Sequence, residues 1–254
     1  MVLYMGDIRV TSTNSSSGSE EKYVINREVS AQGVYQIPTT SFTFSLPSNA
    51  TGMGDYAMHY AFQSCTGLTS VSFPSLTTIS GSYAMYNAFY GCTGLTSVDL
   101  SNLATISGNL AMYGAFYGCA GLTSVDLPSL TTVSGTNAMS STFRGCTGLT
   151  SVSFPSLTNM SGGWGMNYTF YGCTSLTSLS FPSLTSTSFG SYTNQFNYML
   201  QGGVTGCTVH FPSNLQSVIG SWSSVTSGFG GTNTTVLFDL PATDGGGYSG
   251  GSAN

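Results

Sequence analysis

Charge is what this sequence has least of. Only 5% of its 254 residues are Asp, Glu, Lys or Arg, against roughly 25% in ordinary soluble proteins. Three of the four basic residues, Arg9, Lys22 and Arg27, lie before position 28, and only Arg144 follows them. A net charge of -5 without a basic patch argues against nucleic acid, whose affinity comes from neutralising phosphates. It argues equally against an anionic membrane surface. Apolar runs of roughly 18 residues, the minimum for a transmembrane helix, are missing, so membrane insertion is not expected. The start, MVLYMGDIRV, has no basic segment ahead of its short apolar run and carries an acid at Asp7; it does not read as a secretory signal. No C-x-x-C pair or Cys/His cluster is present, which removes the usual zinc patterns, and no cofactor is implied. Solubility therefore rests on Ser, Thr, Asn, Gly and Tyr, a surface chemistry suited to work outside a cell.

What the sequence has in abundance is repetition. AMYNAFYGCTGLTSVDL (Ala84 to Leu100) returns 27 positions later as AMYGAFYGCAGLTSVDL (Ala111 to Leu127) with two changes. Cys65, Cys92, Cys119, Cys146 and Cys173 keep this interval, as do Phe62, Phe89, Phe116, Phe143 and Phe170. Two further ladders, of Leu from Leu68 to Leu176 and of Met from Met58 to Met166, run in step. An active site is normally assembled once, whereas a stacked scaffold is built by repeating a unit that cannot bury its apolar side alone.

Within one unit two local periods alternate. Leu68, Val71 and Phe73 have L-x-x-L-x-L spacing, the last two on one side of an extended strand, and Pro74 ends the ladder by removing a donor. Leu76 and Ile79 turn a second apolar edge inward. After Gly81, the residues Ala84, Met85, Ala88 and Phe89 fall at i, i+1, i+4 and i+5, which predicts one face of a short helix, with Gly91 as its terminator. These residues resemble the BspA-like (Treponema pallidum-type) branch of the leucine-rich-repeat family. The branch's unit reads approximately L-x-x-I-x-L-P, a second apolar pair, then I-G-x-x-A-F-x-x-C. It is matched here by Leu68, Val71, Phe73, Pro74, Ile79, Gly81, Ala88, Phe89 and Cys92. The unit here is about four residues longer, around AMYN, which predicts one extra helical turn. At Ser101 the proline is replaced. The resemblance implies a right-handed leucine-rich-repeat solenoid, an α/β repeat with a parallel sheet on one side and short helices on the other.

The expected organisation has three parts: an N-terminal strand or cap segment over 1–36, the solenoid over 37–223 in about six to seven turns, and a C-terminal strand with a Gly/Ser-rich tail over 224–254. Phe44, Leu46 and Pro47 mark a degenerate first strand, and MVLYMGDIRV is expected as a strand outside the array. Pro212 follows Pro182 by 30 residues instead of 27, so residues 188–223 are expected to form a divergent closing unit, with Cys207 out of register.

Stacking places the five ladder thiols in one row at strand spacing, about 4.8 Å, which selects no disulfide pairing and predicts buried free thiols. His59 and His210 belong to distant units and should not meet. Asp99 and Asp126 share a column as solvated neighbours, with catalysis or calcium bridging as weaker readings. The Thr column from Thr69 to Thr177 and the Ser column from Ser70 to Ser178 suit an exposed strand; an ice-binding ladder is a lesser alternative.

The helix side varies between units while the core columns barely change. One column reads Tyr56, Tyr83, Leu110, Asn137, Trp164; a second reads His59, Tyr86, Tyr113, Ser140, Asn167; a third reads Gln63, Tyr90, Tyr117, Arg144, Tyr171. Free drift on an exposed face would be expected to leave Lys and Glu, and neither occurs in these columns. Tyr, Ser, Asn, Gly and Trp are the side chains of adaptable binding surfaces, and aromatic platforms also suit sugar rings. The candidate ligand-binding residues are therefore Tyr56, His59, Tyr60, Tyr83, Tyr86, Tyr90, Tyr113, Tyr117, Trp164, Tyr168 and Tyr171. A non-enzymatic module binding a cell-surface protein or glycan is the first expectation, since the resemblance implies adhesion. A bacteriophage tail or fibre protein contacting its host is the alternative, with self-association or virion assembly through the termini. The location expected is extracellular, at a cell surface, or in a virion.

Overall fold

Val71, flanked by Ser70 and Ser72, alternates inward and outward, and this short pattern recurs once per unit as an extended rung. The computed structural model describes residues 8–12, 20–23, 41–46, 48–185, 189, 194–219 and 228–241. Its strands in chain order begin with β1 (Ile8–Ser12) and β2 (Glu20–Tyr23), an antiparallel pair. They continue as β3 (Phe42–Ser45), β4 (Ala50–Met53), β5 (Leu68–Ser72), β6 (Thr78–Ile79), β7 (Ser97–Asp99) and β8 (Thr105–Ile106). The last are β9 (Ser124–Asp126), β10 (Thr132–Val133), β11 (Ser151–Ser153), β12 (Ser178–Ser180), β13 (Thr208–Pro212) and β14 (Thr235–Leu240).

Two sheets result. The larger one stacks β3, β5, β7, β9, β11, β12, β13 and β14 side by side, all parallel. The smaller one joins β4, β6, β8 and β10 in parallel, and β1 adds to its β4 edge antiparallel. The chain is thus a parallel-sheet solenoid. The strand expected in MVLYMGDIRV is found from Ile8 onward, but it lies within a sheet and not outside the array, because β1 supplies the partner that the first turn's β4 would otherwise lack. Residues 1–7 of that stretch fall outside the described residues.

At the other end the sheet runs past position 223. Ser178 pairs with Thr208, a step of 30, and Thr208 pairs with Thr235, a return to 27. Gln195 supports this longer turn from inside: its Oε1 accepts the Gly165 N–H at 2.9 Å and its Nε2 donates to the Met160 carbonyl at 2.7 Å. A buried side-chain amide thus satisfies two backbone groups of the preceding turn.

The expected short helices are not formed. Among the described residues the single α-helix is α1 (Gln216–Ile219); residues 55–64 and their equivalents form a staircase of turns. Every second N–H closes a local turn, such as Ala61 to the Met58 carbonyl at 3.0 Å and Cys65 to the Phe62 carbonyl at 3.0 Å. The N–H groups between them reach the next turn of the solenoid: Met58 to Ala84 at 2.6 Å, Tyr60 to Tyr86 at 3.0 Å, Phe62 to Ala88 at 2.7 Å. All these donors are satisfied without i to i−4 bonds, so a helix gains nothing here. The true period is four, with a left-handed residue at every fourth position: Tyr56, Tyr60 and Ser64, then Tyr83, Asn87 and Gly91.

Period four keeps Ala57, Met58, Ala61, Phe62 and Cys65 inside, and their equivalents in later turns are fully buried. Phe62, Phe89, Phe116, Phe143 and Phe170 stack ring on ring at 5.2 to 5.8 Å, nearly parallel. Phe154, Phe181 and Phe211 form a second column at 5.1 and 5.3 Å. Turns meet closely along Gly54, Gly81 and Gly108, where a Cβ on Gly108 would collide with the Gly81 carbonyl; this is the reason for the glycine in each I-S-G step.

Candidate binding face and family

The turn staircase sends two side chains of every four inward and two outward, so Tyr56, His59, Tyr60 and Gln63 emerge together. His59 meets Tyr56 at 5.4 Å and Tyr60 at 4.4 Å, both edge to face. Across turns the rings stack: Tyr56 on Tyr83 at 5.3 Å, His59 on Tyr86 at 5.3 Å, Tyr86 on Tyr113 at 5.0 Å. Tyr90 stacks on Tyr117 at 4.7 Å. A second cluster follows, in which Tyr168 stacks on Tyr198 at 5.0 Å and meets Tyr171 at 5.8 Å. Arg144 joins this cluster to the Tyr90–Tyr117 pair, its guanidinium carbon 5.4 Å from the Tyr117 ring centre and 4.2 Å from that of Tyr171.

Ten of the eleven candidate residues thus fall into three ring groups: Tyr56, His59, Tyr60, Tyr83, Tyr86 and Tyr113; the Tyr90–Tyr117 pair; and Tyr168 with Tyr171, the last two groups being joined through Arg144. Trp164 stands apart: it is 39% exposed, makes no ring contact among the described residues, and its column neighbours are Asn137 and Asn194. Tyr198 was invisible to the 27-residue count because the step there is 30; it is 47% exposed. Stacking also changes what the tyrosines offer. Their faces are largely taken by one another, so the surface presents ring edges and hydroxyls, a hydrogen-bonding ridge more than a row of open platforms. Among the described residues, no other ring covers the faces of Trp164.

Burial and neighbouring tyrosines also act on ionisation. Partial burial raises the Tyr86 phenol above its usual value, helped by Tyr60 and Tyr113, and burial lowers the His59 imidazole below its own. Both shifts favour the neutral form. Apart from the Asp55 carboxylate beside Tyr56, the described part of the face is an uncharged hydroxyl surface with one cation, Arg144.

The backbone under these rings is unusual. Tyr56, Tyr60, Tyr83, Trp164, Tyr168 and Tyr198 all have positive φ, between 53° and 60°. An L-residue with a bulky side chain loses on the order of 1 kcal/mol there. The same columns elsewhere hold Leu110 and, more often, Asn87, Gly114, Ser141 and Asn137, the last four small or tolerant of this conformation. Aromatic rings at these positions are not what the fold by itself prefers.

The other candidate chemistry is structural in its contacts. Asp99 pairs in register with Asp126, and its Oδ1 accepts from the Ser101 hydroxyl at 2.7 Å and from the Ser101 N–H at 3.1 Å. Ser101, where the repeat normally has proline, therefore caps the carboxylate and holds it below the usual range. Thr96, Thr150 and Thr177 each donate to the threonine carbonyl one turn back at 3.1 to 3.2 Å. His210 meets Asp239 at 3.0 Å, fastening β14 to β13 far from His59. All six cysteines are free and buried. Among the described residues no group of three His, Cys, Asp or Glu side chains is placed to hold a metal, and no helix is long and apolar enough to cross a membrane.

The BspA type leucine-rich repeat region, in six copies, matches residues 36–162, half of the sequence. The chain belongs to the BspA-type leucine-rich-repeat family. No curated protein matches it. Among solved structures it is similar to a leucine-rich cell surface protein from Faecalibacterium prausnitzii, at 24% identity and a TM-score of 0.39, over 60% of this chain and 36% of that one. It is also similar to the T. pallidum leucine-rich repeat protein, at 18% identity and a TM-score of 0.38, over 83% of this chain and 96% of that one. The chain spans little more than a third of the Faecalibacterium protein's length. The BspA-type repeat sets the ladders and the two sheets; the tyrosine face is what this member places on them.

Proposed function

We propose that this chain is a non-catalytic recognition module that attaches to a cell-surface protein or glycan through the turn face, and that it works at a cell surface. Family membership supports the setting, since BspA-type repeats are commonly adhesion and protein-binding units. The observation that carries the reading is the row of aromatic residues held at positive φ. Each costs stability that Asn or Gly would not, and retained local strain is a mark of a functional surface. The chemistry fits: rigid rings give contact area at low entropic cost, and phenol hydroxyls give adaptable hydrogen bonds.

Recognition surfaces concentrate their affinity in a few anchors. Replacing Tyr90 and Tyr117 together by Ser should weaken attachment to intact target cells about tenfold or more, with little change in thermal unfolding. Replacing Thr96 and Thr123 on the sheet face should leave attachment intact. If the threonine change abolishes attachment and the tyrosine change does not, the binding face is the sheet.

A further inference from the structure

Arg144 is the sole basic residue from position 28 to the end of the chain, and it stands in the middle of the tyrosine face. Its guanidinium lies over three rings, at 4.2 Å from Tyr171, 5.4 Å from Tyr117 and 5.5 Å from Tyr168. The backbone on either side is fixed, because the Arg144 N–H closes a turn to Ser141 at 3.1 Å and its carbonyl accepts from Gly118 at 2.7 Å. Among the described residues the guanidinium meets no carboxylate, and its Nε is buried with no hydrogen-bond partner. A cation that has lost part of its water and gained only aromatic faces is under-compensated. Folding alone would be served as well by a fourth tyrosine in this column.

The surroundings narrow what would complete it. The aromatic rows break at this turn: where neighbouring turns carry Tyr113 and Tyr168, this one carries Ser140 and Ser141, both buried, beside Gly114. One positive charge is therefore ringed by phenols, hydroxyls and amides, with Trp164 in the following turn stacked on no other ring among the described residues.

We propose that Arg144 is the charge-reading subsite of the turn face and takes the carboxylate of an acidic sugar, such as a sialic or uronic acid within a glycan. The inference rests on reading the turn face as the attachment surface, and it specifies what that surface distinguishes. A guanidinium matches a planar carboxylate through two parallel N–H···O bonds and is always charged. Charge count separates the ligand classes: an acidic peptide or a polyanion carries many charges close together and calls for several cations, whereas an acidic sugar carries one carboxylate among many hydroxyls. That ratio is the ratio on this face.

The test is isothermal titration calorimetry of the intact chain with sialyllactose and trigalacturonate, each against its neutral counterpart, lactose and a galactose trimer. The acidic sugars should bind roughly tenfold more tightly or better. Arg144→Gln should remove that preference, while Arg144→Lys, which keeps the charge and loses the planar fork, should restore only part of it. Glucuronate competing for the unsubstituted protein where glucose does not gives the same answer should Arg144→Gln fail to fold. Equal affinity for acidic and neutral sugars, or an Arg144→Gln protein that keeps the preference, overturns the subsite; so does tighter binding of a hexaglutamate peptide. The two readings fail separately. Loss of cell attachment in the Tyr90 and Tyr117 double variant without any acidic-sugar preference removes the subsite alone. Acidic-sugar binding through Arg144, with attachment untouched by the double variant, removes the attachment reading.

Discussion

The thiol of Cys119 donates a hydrogen bond to the carbonyl oxygen of Phe89, 3.2 Å away and 30 positions earlier. Cys92, Cys146 and Cys173 repeat it toward Phe62, Phe116 and Phe143 at 3.0 to 3.1 Å. Each of these carbonyls also accepts the N–H that closes its own turn, as Phe89 does from Cys92. The cysteine ladder is therefore a set of ties between turns as well as a row of small apolar groups, which an alanine ladder could not reproduce.

Those thiols should be silent in the folded chain. Burial pushes the Cys146 thiol up to about 12, and lifts Cys119 and Cys173 well above the ordinary value. Thiol-reactive reagent should label none of the six cysteines before denaturant and all six after it. The pH dependence follows from the direction of the shift. Below the ordinary thiol value of 9.0, folded and unfolded chains are both protonated, and stability is unaffected. Above it the unfolded chain ionises first, so stability falls as pH rises toward about 12. Urea midpoints should drop between about pH 8 and about pH 10.5, and less so in Cys146→Ala.

Phe116 tests the ring column. It is fully buried, with Phe89 stacked at 5.2 Å and Phe143 at 5.6 Å. Phe116→Ala should lower unfolding free energy by about 3–5 kcal/mol. A change within about 0.5 kcal/mol would show that the turns do not share a continuous core.

Ser101→Pro restores the usual repeat residue and deletes two of the donors that hold Asp99, the Ser101 hydroxyl and N–H, leaving the Ser72 hydroxyl at 3.1 Å. The Asp99 pKa, depressed in the folded chain mainly by the Ser101 hydroxyl, should climb back toward its ordinary value in a carboxylate NMR titration. The stability from this depression is present above the ordinary carboxylate pKa and lost as pH falls through the folded value, so the variant should be slightly less stable at neutral pH and the difference should vanish in acid.

Tyr56→Asn separates fold from function at a left-handed position. Tyr56 has φ 56° and is 54% exposed, so the loss of its one stacked contact with Tyr83 is set against about 1 kcal/mol of relieved strain. Thermal stability should hold or rise while attachment to target cells weakens. A clear drop in stability with attachment unchanged would make the ring a packing element.

How much was legible can be seen residue by residue. Phe116, Cys119 and Leu122 announced their columns because every turn of a solenoid gives an equivalent residue the same environment, and identical demands leave identical residues. The convex side misled for a definite reason: Ala84, Met85, Ala88 and Phe89 satisfy a helical stripe of period 3.6 and a turn staircase of period 4 equally well over so short a run. The glycines and asparagines every fourth position, Asn87 with Gly91 and Gly114 with Gly118, were the available sign of left-handed residues.

The sequence by itself determined the repeat length, the core columns and the side on which variation is permitted, because these depend only on which residues recur. The tertiary structure alone decided how the backbone between strands is satisfied, since the deciding bonds, such as Tyr60 N–H to the Tyr86 carbonyl, cross from one turn to the next. It decided the face in the same way. Whether a tyrosine offers its ring or only its edge depends on the residue one turn away, and Arg144 has Tyr117 and Tyr171 as neighbours in space at a distance of 27 residues in the chain.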